Sequence, residues 1–347
     1  MPEKHTFRLI CQTCELEEFR PAWQMLWQQD RNATPFQSPE WLLPWWHQFG
    51  QPELRAIAIL NYGKPIALLP FYIYYEPDRR ERQLLLMGVG TSDYLDGIFA
   101  PECRIEHIHF AFEHLHEMDG WDVMYVTQLR ESSILHRALK QINGWDDRSF
   151  GTESCSQMRA SPVSELPVKI RRNAMYYRNR ALRLGTLELT LANEEDWPLA
   201  FNALVNLHTA RWQKNGESGV LADPRVLACH REAIPQLLRL GILRLGVLRL
   251  NGEVLGVAYA LVDPVEGATR TQYIYLMSHS IEHAQLRPGT LLLAAMTEHA
   301  ANEGVQTIDL LRGEESYKRL WHVESIPTFG FSFDYTANLS ERRLLSA

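Results

Sequence analysis

The chain has 347 residues, of which 46% are hydrophobic and 22% charged, and its formal net charge is -7. That length is about twice a common domain size, which predicts two domains with apolar cores. The negative balance excludes a global attraction to nucleic acid, so we expect no DNA partner. No stretch approaches the roughly 18–20 apolar residues of a membrane span, and no secretion signal is recognisable, so we expect a cytoplasmic protein.

Cysteine usage also fits a reducing compartment, because the five cysteines are odd in number and scattered. Cys11 and Cys14 form a CxxC motif, a spacing known from redox and zinc sites. No second CxxC or histidine pair follows at zinc spacing, and the segment also fits a strand end that leads into a helix. We therefore expect no bound metal.

Periodicity and turn residues predict an alternation of strands and helices in the first half. The predicted order is a strand at 6–12, helices at 15–29 and 38–49, a hairpin at 53–75 around Asn61 to Gly63, a strand at 82–89, a helix at 102–118, a strand at 121–129 and a helix at 132–142.

A basic segment follows. Residues 166–185 (LPVKIRRNAMYYRNRALRLG) hold no acid and six basic side chains: Lys169, Arg171, Arg172, Arg178, Arg180 and Arg183. Apolar side chains at helical spacing, which are Ile170, Ala174, Tyr177, Ala181 and Leu184, predict an amphipathic helix over 169–183. Its basic face is either a solvated face of a docked linker or an anion site for a cofactor phosphate, an acidic polysaccharide precursor or RNA.

The second half repeats the order of the first. The predicted elements are a strand at 186–192, helices at 196–212 and 224–240, a hairpin around Asn251 and Gly252, a strand at 269–279, a helix at 288–304, a strand at 305–313, a short helix at 314–321 and a strand at 328–335.

This repetition predicts an internal duplication. The two hairpins, LRAIAILNYGKPIALLPF and LRLGVLRLNGEVLGVAYA, give the best match between the halves. We predict an α/β fold with mixed sheets in two tandem domains, residues 1–160 and 161–347, with the boundary near 157–167.

Two segments of the second half carry candidate chemistry. Arg287, Gly289 and Thr290 open the helix at 288, where free N–H groups and the positive end of the helix dipole favour an anion. The sequence LLRGEESYKRLW presents Glu314 and then places Tyr317 and Lys318 on the same helical face as Trp321. These aromatic side chains are either packing residues or part of a site.

The order of elements, RPGT, IDLLRGEESYKRLW, LHTARW and GVLADPR together resemble the GNAT superfamily of acyltransferases. Within it they are similar to the bacterial branch named after cellulose or exopolysaccharide biosynthesis, which shares the doubled architecture of Fem-type aminoacyltransferases. The resemblance covers residues 165–335 and extends more loosely to the first half through TPFQSPEWL and TSDYLDGIF.

This resemblance implies acetyl-CoA or another acyl-CoA as co-substrate, with its pyrophosphate on the loop before residue 288. Main-chain N–H groups near Leu276, Met277 and Ser278 would polarise the thioester carbonyl. Tyr317 would protonate the departing thiolate. The general base is left open between His279, His283, Glu314 and a water chain.

The implied acceptor is a small primary amine, such as an amino sugar of envelope or exopolysaccharide metabolism. Arg211, Trp212 and Asp223 flank the loop that lines the acceptor side in this superfamily, and we group Lys318 with them as substrate-binding. In the first half, Glu102 stands where the second has RPGT and would repel a phosphate, so we expect a degenerate copy.

The loop at 91–97 (TSDYLDG) is the candidate that the first half offers. Its side chains Asp93, Tyr94 and Asp96 would bind a cationic or hydroxyl-rich acceptor if the loop faces a cleft, and would otherwise form a solvated turn.

Two other functions are compatible with the sequence. A Fem-type transferase would take an amino acid from charged tRNA, which the basic helix favours. A non-enzymatic scaffold would associate with polysaccharide-synthesis proteins, for which the aromatic residues of SPEWLLPWWHQF are suited.

Overall fold

The computed structural model of the protein describes residues 5–50, 53–115, 120–141, 149–264 and 270–334. Helices and mixed β-sheets build it throughout, which confirms the predicted α/β class. The chain divides into two compact units, one formed by residues 1–153 and 327–347 and the other by residues 154–326. None of the described helices has the length and apolar character needed to cross a membrane.

The elements alternate much as the sequence predicts. The first part of the chain forms β1 (His5–Ile10), α1 (Thr13–Glu18), α2 (Arg20–Gln29), α3 (Pro39–Phe49), β2 (Ala56–Asn61), β3 (Lys64–Leu69), β4 (Phe71–Glu76), β5 (Glu81–Leu86), β6 (Ile98–Phe99), α4 (Ile105–Leu115), β7 (Val123–Leu129), α5 (Ile134–Gln141) and β8 (Ser149–Gly151).

The remainder of the chain supplies the second unit and one final strand. These elements are β9 (Cys155–Arg159), α6 (Val168–Leu182), β10 (Leu187–Leu191), α7 (Trp197–Lys214), α8 (Pro224–Arg239), β11 (Leu243–Leu250), β12 (Glu253–Val262), β13 (Thr271–His279), α9 (Pro288–Asn302), β14 (Thr307–Arg312), β15 (Glu324–Ile326) and β16 (Phe329–Asp334).

Three sheets organise the two units. The first unit holds a four-stranded sheet in the order β1-β2-β3-β6 and a five-stranded sheet in the order β4-β5-β7-β16-β8. The second unit holds one seven-stranded sheet in the order β10-β11-β12-β13-β14-β9-β15. In each unit one parallel pair, β5 with β7 or β13 with β14, interrupts otherwise antiparallel pairing.

Local signals in the sequence account for the clearest boundaries. Asn251 and Gly252 both have positive φ values, 53° and 84°, as a two-residue hairpin turn requires. The Asp223 carboxylate caps α8 by accepting the N–H of Arg225 at 2.8 Å, and Pro224 occupies the first helical position.

Two strands join a different unit from the one that their position in the sequence suggests. Strand β9 lies in the stretch predicted as a linker, yet it pairs with β14 in the second unit. Strand β16 was predicted to close the second domain, but it pairs with β7 and β8 of the first unit. The two units divide between residues 153 and 154, whereas the predicted domain boundary lies between 160 and 161. The difference arises because β9 belongs to the second unit.

Other predicted details differ from the structure. Leu184 was assigned to the apolar face of the basic helix but is 58% exposed, because α6 ends at Leu182. The segment predicted as a helix at 314–321 is a turn followed by a short 3-10 helix, Lys318–Trp321. The predicted end of the helix at 102–118 lies outside the described residues.

The two units share an irregularity that fits an internal duplication. Each parallel pair consists of three residue pairs, which begin at Gln83 with Val123 and at Thr271 with Thr307. Beyond them each second strand contains a non-glycine residue with positive φ, Gln128 at 60° and Leu311 at 58°. A break in register accompanies both residues.

We predict that Phe331→Ala weakens the first unit. The Phe331 side chain is fully buried on β16, so its truncation should cost about 3–5 kcal/mol of unfolding free energy. Hydrogen exchange read by mass spectrometry should rise in β7 and remain unchanged in β11 and β12. Phe201→Ala, which removes an equally buried ring from α7, is the matched control for the second unit. Faster exchange in β14 after Phe331→Ala would show that β16 belongs to the other sheet.

Candidate functional site

The candidate site lies at a gap between two strands in the seven-stranded sheet of the second unit. Strands β13 and β14 pair only from Thr271–Thr307 to Tyr273–Asp309. Beyond that point β13 continues to His279 with pairs to β12, while β14 pairs with β9 on its other side. The two strands therefore diverge, and main-chain groups of β13 are left for a ligand to pair with.

A bulge in β14 fixes this divergence. Leu311 adopts a left-handed backbone conformation, which is costly for a residue with a side chain. The fully buried Asp309 carboxylate accepts the Leu311 N–H at 2.7 Å and the Gln157 side-chain amide at 2.8 Å. Charge-assisted hydrogen bonds of this kind offset the cost of the strained backbone.

Lys318 holds the segment after the bulge from the other side. Its ammonium donates to the carbonyl oxygens of Leu311, Arg312 and Gly313 at 3.1, 2.7 and 3.1 Å. An ion pair with Glu315 at 2.9 Å completes its contacts, and the residue is only 3% exposed. These contacts differ from the predicted substrate-binding role, because the three donors of the ammonium are engaged within the chain.

Tyr317 directly precedes this lysine and is half-buried. Burial raises the pKa of its phenol to about 12, with Glu315 raising it further and Arg211 lowering it. The phenol therefore keeps its proton at neutral pH. Tyr317 can donate a hydrogen bond to a developing negative charge, but it cannot act as a base.

His279 ends β13 and is half-buried. Burial lowers the pKa of its imidazole, and the positive charge of Arg211 lowers it as well. Its Nδ1 lies 3.4 Å from the Ser280 carbonyl oxygen, which favours a proton on Nδ1 and an acceptor at Nε2. A neutral imidazole at pH 7 fits the role of a general base.

The helix α9 begins against this imidazole. A Cβ at Gly289 would lie 2.7 Å from Cδ2 and 3.0 Å from Nε2 of His279, so only glycine leaves room for the ring. The sequence singled out Gly289 for close approach of a phosphate. In the structure the space where a Cβ would be belongs to His279.

The N-terminus of α9 keeps the predicted features of an anion site in part. Arg287 is exposed, and it adopts a left-handed conformation with φ of 48°. Its carbonyl accepts the N–H groups of Thr290 and Leu291 at 3.0 and 3.2 Å, and Pro288 has no N–H. An anion at this terminus would therefore be attracted mainly by the charge of Arg287 and would accept a hydrogen bond from the Gly289 N–H.

The other two base candidates differ in their surroundings. His283 lies with Nδ1 3.2 Å from the Ser280 hydroxyl and Nε2 3.7 Å from a Glu253 carboxylate oxygen. Glu314 is exposed in the turn before Tyr317. Among the candidates His279 alone combines burial with proximity to Gly289 and Arg211. Leu276 and Met277 precede it on the diverging part of β13 and are half-buried, and Ser278 is buried.

Of the three residues predicted to lie on the acceptor side, Arg211 and Trp212 belong to α7 and Asp223 precedes α8. Arg211 is exposed near its end, and its charge acts on Tyr317, His279 and His208. Trp212 lies with its ring centre 5.8 Å from that of His208. Asp223, predicted to bind substrate, accepts from the Arg225 backbone at 2.8 Å and from its side chain at 3.3 and 2.8 Å. It thus acts as a helix cap.

Sequence reasoning missed an aromatic cluster beneath β13. His230 of α8 is buried, and burial lowers its pKa to about 4. Its Nε2 lies 3.5 Å from the Tyr275 hydroxyl, and the rings of Tyr259 and Phe201 pack around it. Tyr275 falls at the register break of β13, where the strand starts to diverge from β14. The alternation of side chains in YIYLMSH (273–279) was the sequence signal that could have indicated this cluster.

The first unit holds the three other predicted residues, all buried rather than in a solvated turn. Asp93, Tyr94 and Asp96 are 5, 2 and 9% exposed. Asp96 accepts the Ser133 hydroxyl at 2.9 Å and the Gly97 N–H at 2.8 Å, and burial raises its pKa to about 7.

Asp96 also faces a space within the first unit. It lines a cavity of about 210 Å³ together with Asp30, Arg104 and Arg137. The Arg130 guanidinium lies 5.4 Å from the centre of the Tyr94 ring. Glu102, before α4, pairs with Lys64 at 3.0 Å, which lowers its pKa and keeps a negative charge there.

No metal site is evident in the described ranges, where no three His, Cys, Asp or Glu side chains cluster suitably. Cys11 and Cys14 are both free. A separate cavity of about 290 Å³ between α6 and α9 contains none of the predicted site residues.

Comparisons with known proteins give one matching family and several similar folds. Residues 168–319 match the profile of a family described as "Acetyltransferase (GNAT) domain". No curated protein matches the chain in sequence. Among solved structures, FemX superposes with a TM-score of 0.63 at 10% identity, covering 94% of this chain and 98% of FemX.

Two further structures share the fold. A conserved protein of unknown function from Bacteroides thetaiotaomicron VPI-5482 superposes with a TM-score of 0.61 at 11% identity, covering 94% of this chain and 99% of its own. L-PGS from Bacillus licheniformis superposes with a TM-score of 0.54 at 12% identity, covering 78% of this chain and 81% of L-PGS. The chain thus resembles these proteins in fold, and its residues 168–319 match the acetyltransferase (GNAT) domain family.

We predict that Gly289→Ala acts through His279. The new methyl group would overlap the imidazole, and such overpacking costs about 1–3 kcal/mol of unfolding free energy. In a His279→Ala background the same substitution should cost little, because the ring is gone. Chemical unfolding of the two single variants and the double variant measures this coupling. Additive effects would contradict the contact between the two residues.

Proposed function

We propose that this protein is an acyl-CoA-dependent N-acyltransferase that transfers an acyl group, with acetyl as the first candidate, to a primary amine. The observation that carries the proposal is the divergence of β13 from β14 after Tyr273 and Asp309. His279 ends the diverging part of β13, and Tyr317 follows β14. The match of residues 168–319 to the acetyltransferase (GNAT) domain family supports the use of acyl-CoA.

In this proposal Arg287 and the Gly289 N–H hold the pyrophosphate of the co-substrate. Main-chain N–H groups of Leu276 to Ser278 donate to the thioester oxygen as it becomes negative. His279 accepts one proton from the amine as its nitrogen attacks the carbonyl carbon. The carbon–sulfur bond then breaks, and the products are an amide and a thiol.

Tyr317 faces the departing sulfur in this scheme. A phenol with a pKa of about 12 is a weaker acid than a thiol, whose pKa is about 8.5. Full proton transfer from Tyr317 would therefore run uphill by about 5 kcal/mol. We infer that Tyr317 stabilises the thiolate as a hydrogen-bond donor, and that the proton which completes the thiol comes finally from solvent or from His279.

The acceptor in this proposal is a small amine, and an amino sugar of envelope or exopolysaccharide metabolism is the favoured class. The exposed guanidinium of Arg211 beside Tyr317 suits a ligand rich in hydroxyl or acidic groups. Association with polysaccharide-synthesis proteins remains part of the same proposal, and acetyl-CoA turnover without them would show that they are not required.

A second candidate is a Fem-type transfer from aminoacyl-tRNA. The similarity to FemX over 94% of the chain and the basic helix α6 favour it. An electrophoretic mobility shift with charged tRNA at low salt separates the two candidates. Retardation of tRNA together with no binding of any acyl-CoA would replace the first proposal by the second.

We predict that Tyr317→Phe lowers kcat about tenfold to a hundredfold, because the hydrogen bond to the thiolate is made in the transition state. Since the phenol pKa is about 12, the loss should be constant from pH 6 to pH 10. Steady-state rates with saturating acyl-CoA and amine measure it.

The pH profile also contains an internal control. The lowered pKa of His279 predicts that kcat of the unaltered protein rises with pH around a midpoint below 6.5. His279→Gln should abolish that rise, while Tyr317→Phe should keep it. A profile that is unchanged by His279→Gln would assign the base to another group.

Arg287 variants test the co-substrate site. Arg287→Asn suits the left-handed backbone and removes the charge, so stability should hold while acyl-CoA affinity falls about tenfold. Arg287→Lys retains the charge and should lose less affinity. Isothermal titration with acetyl-CoA and longer acyl-CoAs gives the constants, and thermal unfolding controls for structure. Equal affinity in all three proteins would show that the α9 N-terminus does not hold the pyrophosphate, and absence of binding by the unaltered protein would refute acyl-CoA use.

A further inference from the structure

Helix α6 exposes an apolar ridge to solvent. Val168, Met175 and Leu182 are 61, 51 and 48% exposed. They are spaced by seven residues, which is close to two helical turns, so they lie nearly in line along the helix. A helix of 15 residues is about 22 Å long, and the ridge runs over almost all of it.

Two residues close to the ridge in sequence are exposed as well. Tyr176 is 61% exposed and Leu184, just beyond the helix, is 58% exposed. In the described part of the chain, eleven large hydrophobic side chains are exposed, and five of them fall between residues 168 and 184. Single exposed apolar residues need no explanation, but such a concentration marks an interaction surface.

The same stretch carries an unusual charge. Its six basic residues are accompanied by no acid, in a chain whose net charge is -7. All but Arg171 are exposed. Across the described ranges none of the six forms an ion pair, and Arg171 donates to the Ser164 carbonyl oxygen at 2.8 Å. The positive charge is therefore available to an external partner.

The opposite side of the helix fixes which face is outward. Ile170, Ala174 and Ala181 are buried, and α6 packs on α9 and β10 of its own unit. The ridge and its flanking guanidinium groups cannot turn inward without opening that contact. They form a permanent surface, which we call the α6 ridge surface and define by Val168, Met175, Leu182, Arg172 and Arg183.

We propose that the α6 ridge surface docks on a lipid bilayer that contains anionic lipids. An interfacial helix combines apolar side chains that enter the acyl boundary with cations that remain among the headgroups, and both are present on this face. Positive charges close to an anionic leaflet add to the affinity. RNA would use the guanidinium groups but has no place for three aliphatic side chains in line. This proposal is independent of the reaction assigned to the second unit.

Vesicle flotation with the full chain tests the proposal. The unaltered protein should float with vesicles of phosphatidylcholine and phosphatidylglycerol at 7:3 and remain unbound with phosphatidylcholine alone. Val168→Ser/Met175→Ser/Leu182→Ser should lower the partition coefficient at least about tenfold, because the apolar contribution is lost. Arg172→Glu/Arg183→Glu should have a similar effect, and raising the salt to about 0.5 M should weaken binding of the unaltered protein.

Matched controls separate the ridge from general surface properties. Tyr62→Ser/Tyr75→Ser/Leu199→Ser removes three equally exposed apolar residues elsewhere, and Arg231→Glu/Arg239→Glu makes the same change in charge on α8. Both should float as the unaltered protein does, and circular dichroism confirms folding of each variant. Equal flotation of ridge and control variants, or none by the unaltered protein, would overturn the proposal. Binding of a 20-nucleotide RNA that Val168→Ser/Met175→Ser/Leu182→Ser retains and Arg172→Glu/Arg183→Glu loses, without flotation of the unaltered protein, would assign the surface to RNA instead.

Discussion

The candidate site depends on one local constraint, the strained turn of β14 at Leu311. The Asp309 carboxylate accepts the Leu311 N–H, and the Lys318 ammonium donates to the carbonyl oxygens of residues 311 to 313. Both side chains are buried, and together they hold β14 at the point where it leaves the sheet. Removal of the Asp309 carboxylate would leave the buried Leu311 N–H without its acceptor, and removal of the Lys318 ammonium would leave three carbonyl groups without their donor. An unsatisfied buried polar group costs about 1–3 kcal/mol of unfolding free energy.

A single exposed charge links the two candidate catalytic groups. Arg211 lowers the pKa of Tyr317 and the pKa of His279. The first effect makes the phenol a better donor, and the second keeps the imidazole neutral and able to accept a proton. Because both groups are partly removed from water, burial accounts for most of each shift and the guanidinium adjusts it. One environment thus keeps the phenol of Tyr317 protonated and favours the neutral form of the His279 imidazole.

The sequence predicted the parts of this arrangement that arise from local signals. The two hairpins, around Asn61 to Gly63 and at Asn251 and Gly252, and the start of α8 after Asp223 were predictable from short motifs. The contacts of Lys318 and Asp96 were not, because each depends on partners that the fold brings near or on burial. Strand β16 was misplaced for a related reason, since an alternating pattern predicts a strand but not the sheet that it joins.

The exchange of strands also affects how the protein can be made. The five-stranded sheet of the first unit needs β16, whose residues are separated from β7 by about 200 positions along the chain. While the chain is still being synthesised, the β7 edge must wait for the whole second unit to leave the ribosome. An unpaired edge during that interval is open to pairing with other chains. The protein therefore completes its first unit last, and folding on the ribosome cannot proceed simply from the N-terminus to the C-terminus.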